Sequence, residues 1–94
     1  DFQKLVTNFV LAWDKKRNVK SDSDIAFIHL VEEVGELATQ YTNKKQRPKD
    51  YREEEIADAL SDILMQVFRL AHIHKLDMEK EVLKIIKEEQ EYLK

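Results

Sequence analysis

Cysteine is absent from this 94-residue chain, and glycine and proline occur once each. Without thiols there is no disulfide, no thiolate zinc or iron–sulfur centre and no cysteine nucleophile. The tight turns of a many-stranded sheet have almost no residues to form them, so the expected class is all-α. Long apolar runs are missing too. The longest, Phe9-Val10-Leu11-Ala12-Trp13, falls far below the roughly 20 residues of a membrane span. No leader pattern is legible, which makes a cytoplasmic protein the default expectation. The length fits a single domain over residues 1–94.

Basic residues are absent from two particular stretches. Residues 21–43 contain no Lys or Arg against Asp22, Asp24, Glu32, Glu33 and Glu36. Residues 53–68 repeat the pattern with Glu53, Glu54, Glu55, Asp58 and Asp62. Between them lie Lys44, Lys45, Arg47, Lys49 and Arg52, five of the sixteen basic residues. The net charge of −3 thus conceals segregation by element, where a salt-bridge-laced surface interleaves its charges.

Hydrophobic spacing predicts four helices. The first, about Phe2 to Arg17, aligns Leu5, Phe9, Ala12 and Trp13. Ser21 to Asp24 offers N-caps for a second helix reaching about Asn43, with Phe27, Leu30, Val31, Val34, Leu37, Ala38 and Tyr41 on its apolar face. Pro48 breaks the chain. A third helix, about Asp50 to His74, carries Ile56, Leu60, Ile63, Leu64, Val67, Leu70 and Ala71. Asp77 caps a fourth with Val82, Leu83, Ile85 and Ile86, and with candidate Lys84–Glu88 and Lys87–Glu91 pairs. So much apolar arc on two long helices exceeds what one small subunit covers, so a helical bundle completed by oligomerisation is expected.

Glu33 and Glu36 stand three residues apart, about 60° around a helix, so both carboxylates reach one point. Glu55 and Asp58 share that spacing, and Asp62 follows one turn on. A solvated acidic surface satisfies the periodicity alone. Three local costs argue for a ligand instead. Asp58 and Asp62 occupy mid-helix positions that disfavour Asp, and they stack at i,i+4 as Glu32 and Glu36 do, at about 0.2–0.5 kcal/mol per repulsive pair. Gly35, between Glu33 and Glu36, costs about 1 kcal/mol relative to Ala. A bound cation offsets these costs, and an all-oxygen set suits Mg²⁺ or Mn²⁺. No Glu-x-x-His, His-Glu-x-x-His, phosphate-binding glycine loop or Ser/His/Asp grouping competes with it. The chemistry such a cluster supports is metal-assisted hydrolysis of a phosphoanhydride.

Leu30-Val31-Glu32-Glu33-Val34-Gly35-Glu36-Leu37-Ala38 and Glu54-Glu55-Ile56-Ala57-Asp58 resemble the two halves of the signature of the MazG-like all-α nucleoside triphosphate pyrophosphohydrolases. The resemblance spans about Trp13 to Leu83. It implies Mg²⁺-dependent cleavage between the α and β phosphates of a (deoxy)nucleoside triphosphate, giving monophosphate and pyrophosphate in nucleotide-pool house-cleaning. It also implies a four-helix fold assembled as a homodimer or homotetramer. By position, Glu33, Glu36, Glu55 and Asp58 become metal ligands, with Asp62 an additional or supporting one and Glu33 or Glu36 orienting the attacking water. The chain departs from the family pattern twice. The spacing to Asp77 fits Asp62 better than Asp58, which puts Ala59 where the family has Glu, and Ile85 and Glu89 replace a Lys and an Asn of the last helix.

Trp13 falls where some relatives place a base-contacting aromatic, and a core or interface Trp is the competing reading. Lys44, Lys45 and Arg47 are candidate triphosphate contacts, set against a solvated loop. His72 and His74 read as packing or capping residues at a helix end. Nucleic acid is not an expected partner of an acidic chain with one short basic cluster, and neither is a membrane. The competing function is a non-catalytic helical interaction module with acidic faces.

Overall fold

In a computed structural model, which describes residues 1–20 and 22–94, the chain is all-helical. The four helices are α1 (Phe2–Lys16), α2 (Ser23–Gln46), α3 (Glu53–Ile73) and α4 (Met78–Glu89), with short 3₁₀ turns at Pro48–Asp50 and Gln90–Leu93. No helix is long and apolar enough to cross a membrane among the described residues.

Local chemistry explains the boundaries. Asp1, Asp22 and Asp77 each accept a backbone N–H in the first turn of α1, α2 and α4, satisfying an orphan donor. Ser21, another candidate cap, lies outside the described residues. With no glycine to spare, α1 and α3 end on Asn18 and Lys75, both left-handed at φ 55° and 60°. Each then closes a Schellman motif, Val19 N–H to Asp14 O and Leu76 N–H to Ala71 O. α2 runs one turn further than its apolar pattern suggests, so Lys44 and Lys45 sit on its last turn, beside the negative end of the helix dipole.

The connector after α2 is built by two buried or half-buried amides that periodicity did not single out. Asn43 accepts from Arg47 Nε and donates to the Asp50 carbonyl. Gln40 accepts the Arg52 N–H, closing the entry to α3, whose own N-cap side chain makes no capping bond. α3 therefore starts at Glu53 rather than Asp50, and packs chiefly against α2, with α1 lying on its other flank.

The packed faces differ from the predicted ones. α1 turns Val6, Thr7, Val10 and Asp14 inward, while Leu5, Phe9 and Trp13 remain 67%, 55% and 50% exposed. On α2 the inward seam is Ala26, Leu30, Glu33, Leu37, Gln40 and Asn43, so Phe27, Val31, Val34 and Tyr41 face out. On α3 the buried or half-buried set includes Ile56, Ile63, Val67, Leu70 and Ala71, whereas Leu60 and Leu64 are exposed. Each predicted apolar arc is real, but this chain alone covers only one edge of it. α4 touches the rest through its first turn, where Met78 N–H donates to Gln3 Oε1. The Lys84–Glu88 and Lys87–Glu91 pairs do not form; the ion pairs among the described residues are Arg69–Asp14 and Lys94–Glu91.

The buried pair ties α1 to α3. Arg69 Nη2 donates to Asp14 Oδ1 at 2.8 Å, with both side chains nearly shut off from solvent. Arg69 Nη1 donates to Gln66 Oε1, while Nε is buried without an acceptor.

Candidate functional site

Antiparallel packing of α2 on α3 brings the two acidic stripes together. Glu36, Glu55, Asp58 and Asp62, with Thr39, Gln40 and Ala59, line a cleft of about 260 Å³. Four of the five predicted ligands thus share one wall-to-wall space, despite the 18 residues between Glu36 and Glu55. Asp58 and Asp62, one turn apart on α3, line the same cleft.

Glu33, the fifth, stands behind that wall on the α2–α3 seam. Its Oε2 is buried and has no hydrogen-bond partner. Burial raises its pKa from the ordinary value of a glutamate, and the neighbouring charges of Glu36 and Asp62 raise it further. A solvated acidic stripe does not describe this residue, since a carboxylate placed for solvation would face out. Among the described residues, however, no group of three or more His, Asp or Glu is arranged to hold a metal ion.

Because the folded state holds the Glu33 proton more tightly than the unfolded chain does, its charged form opposes folding at neutral pH. Stability from this group is greatest below the unfolded carboxylate pKa and declines as pH rises through the folded value. Glu33→Gln is therefore expected to raise the melting temperature at pH 7–8 in chelator, with the gain shrinking towards pH 4. An equal shift at both pH values would contradict the burial of charge at this position.

A second cleft adjoins the first. Phe9, Val10, Trp13, Met65, Gln66 and Arg69 line about 320 Å³, and Asp62 belongs to both spaces. The ring of Phe9 lies 6.0 Å from that of Trp13, and Arg17 sits over the Trp13 ring at 5.6 Å. Trp13 thereby shares a cleft with Asp62. Phe9, Met65 and Gln66 were not anticipated there. Gln66 did leave a signal: it follows Asp62 by four residues and so extends the polar stripe of α3.

The basic candidates lie elsewhere. Lys44 Nζ is over the Tyr51 ring at 5.6 Å, Arg47 is bound to Asn43, and neither these nor Lys45 lines the carboxylate cleft. Tyr51 donates to Glu53, which pushes its phenol up to about 12. His29 and His72 are exposed and His74 caps α3, all apart from the carboxylate cleft. The glycine that separates Glu33 from Glu36 meets nothing: a Cβ at Gly35 has no neighbour within 4 Å, so packing inside this chain does not require it.

No family model matches the chain, and no curated protein matches it either.

Proposed function

We propose that this protein is a Mg²⁺-dependent nucleoside triphosphate pyrophosphohydrolase of the MazG-like type, cleaving the α–β phosphoanhydride. The observation that carries the reading is the pair of contiguous clefts, one acidic and one apolar-aromatic, joined at Asp62. A nucleotide has the same division, with a polyanion at one end and a flat ring at the other. The donor types suit the metal, since Glu36, Glu55, Asp58 and Asp62 offer carboxylate oxygens only and Glu33 holds a buried oxygen with no hydrogen-bond partner, but gathering three of them on one ion requires them to move from the positions they hold here. Mn²⁺ meets the same donors. When bound, the ion neutralises phosphate charge and lowers the pKa of coordinated water. The chain's own part is to seat the ring against Phe9 and Trp13, which line the cleft, and to exclude water along the Val10 and Met65 wall. Glu33, whose proton affinity is raised, or Glu36 takes the proton of the attacking water. Lys44, Lys45 and Arg47 lie outside this cleft and reach the triphosphate only by moving towards it or from another subunit.

The same reading includes a homodimer or homotetramer. The accessible surface is 7830 Å², against about 5,700 Å² for a compact monomer of this mass. The radius of gyration is 16.2 Å, against about 12 Å for a globule of this length. Assembly that removed the excess, roughly 2,000 Å² per subunit, falls within the range of obligate interfaces. The outward faces of α1, α2 and α4 supply apolar surface for it. Gly35, open on all sides within the chain, then has a reason in close approach by a second copy. A cytoplasmic location accords with a nucleotide substrate, and neither nucleic acid nor a membrane is a partner in this reading.

The test is a panel of nucleoside triphosphates assayed for pyrophosphate with Mg²⁺, Mn²⁺ or chelator. Pyrophosphate and monophosphate are expected, with none in chelator. Melting in parallel should show a rise of several degrees at modest Mg²⁺ but not at matched ionic strength, and a rise with protein concentration if subunits associate. Orthophosphate as the released product would overturn the bond assignment. Response to ionic strength alone, with no turnover, would favour the acidic interaction module.

A further inference from the structure

Gln66 lies on α3 one turn beyond Asp62, about 6 Å further from the carboxylates at 1.5 Å per residue. A ring seated in the apolar cleft, with its phosphates at the acidic one, turns its far edge towards this amide. Which end of the amide it meets is decided by Arg69. Guanidinium is a donor only, so the Gln66 atom bonded to Arg69 Nη1 must be the carbonyl oxygen. Arg69 itself cannot turn away: Nη2 is committed to Asp14, and Nε is already buried without an acceptor. Releasing Gln66 would leave a second donor of a buried cation bare. The Gln66 amide nitrogen has no acceptor among the described residues.

We infer that the Asp14–Arg69–Gln66 chain makes the apolar cleft a reader of a ring carbonyl, so that the preferred substrates are nucleotides whose base carries an oxo group on the edge distal to the sugar. Uracil, thymine, hypoxanthine and guanine meet that condition. Cytosine and adenine present an amino group there, a donor facing a donor. The inference rests on the nucleotide reading above and adds the class of base. Arg69 and Asp14 act as positioning residues, Gln66 as the contact. The cleft, about 320 Å³, is at the small end of ligand pockets, which suits one nucleoside.

Trp13 is the chain's sole tryptophan and lines this cleft, so its fluorescence reports occupancy directly. Uridine and inosine are titrated against cytidine and adenosine on the full chain, beside pyrophosphate release from the corresponding triphosphates. Uridine and inosine should bind at least about tenfold more tightly than their amino counterparts, since a bound base takes the solvent-accessible Gln66 donor out of water and only a ring carbonyl then pairs it. Gln66→Glu keeps an acceptor for Arg69 and replaces the free donor by an acceptor, so the order should reverse. Equal affinities in the parent chain, an unchanged order in Gln66→Glu, or no binding of any nucleoside would overturn the inference. A carbonyl preference in binding without pyrophosphate release would sink the hydrolase reading and leave the base reading standing. Release from all triphosphates without preference would do the opposite.

Discussion

Glu36→Gln and Asp58→Asn are each expected to lower pyrophosphate release by at least about a hundredfold, with helicity unchanged by circular dichroism. Removing a supporting group around a metal typically costs 10- to 100-fold, and these two side chains are proposed as direct ligands from opposite walls of one cleft. Neither substitution removes packing, because both residues are exposed and neither is buried in the α2–α3 seam. Each also relieves like-charge repulsion, so melting in chelator should stay level or rise slightly while stabilisation by Mg²⁺ falls. That pairing, lost turnover with an unharmed or firmer fold, separates a ligand from a structural carboxylate. Full turnover in both variants would remove the acidic cleft from the mechanism.

The second large effect concerns stability. Arg69→Met should lower it by about 3–5 kcal/mol, because Asp14 would then be buried without its only cation. For a domain of this size that corresponds to a loss of at least about 10 °C in melting temperature. Replacing both partners, Asp14→Leu with Arg69→Met, should recover most of it, since a well-packed apolar pair often equals or exceeds a buried ion pair. The recovered fold would no longer fix the Gln66 amide, so base discrimination should weaken even though the protein is stable. A single substitution costing less than about 1 kcal/mol would show that the pair is solvated and does not hold α1 against α3.

The two expectations test different layers of the molecule. The acidic cleft is held by α2 and α3 and the connector that Asn43 and Gln40 organise. The aromatic wall belongs to α1, whose place depends on the Asp14–Arg69 contact. Losing the second layer while keeping the first should therefore change which nucleotide is used before it stops hydrolysis altogether.

Much of this was legible without coordinates. One glycine, one proline and no cysteine pointed to helices, and Asp1, Asp22 and Asp77 start three of them by side-chain capping. Three- and four-residue spacing put each acidic stripe on one helix face, since a helix has only one periodicity to offer. The donor types supplied the expectation of a hard divalent cation, which belongs to the proposal. Those properties are local: they depend on dihedral preferences and on residues within a turn or two of each other.

Tertiary structure decided which edge of each helix faces inward. Leu5, Phe9 and Trp13 looked like the core of α1, yet Val10, Thr7 and Asp14 pack there, because Asp14 finds Arg69 across 55 residues. Glu33 belonged to an acidic stripe by spacing but to the α2–α3 seam by packing, which is where its raised pKa comes from. A helical arc wider than one contact can cover leaves the choice of edge to partners distant in sequence. Hydrophobic pattern therefore determined that these helices associate, and the spacing of the acidic residues that their carboxylates align. Only the placement of α1 and α2 on α3 joined an acidic cleft to an aromatic one at Asp62, since burial and long-range pairing depend on what lies opposite rather than on what lies next in the chain.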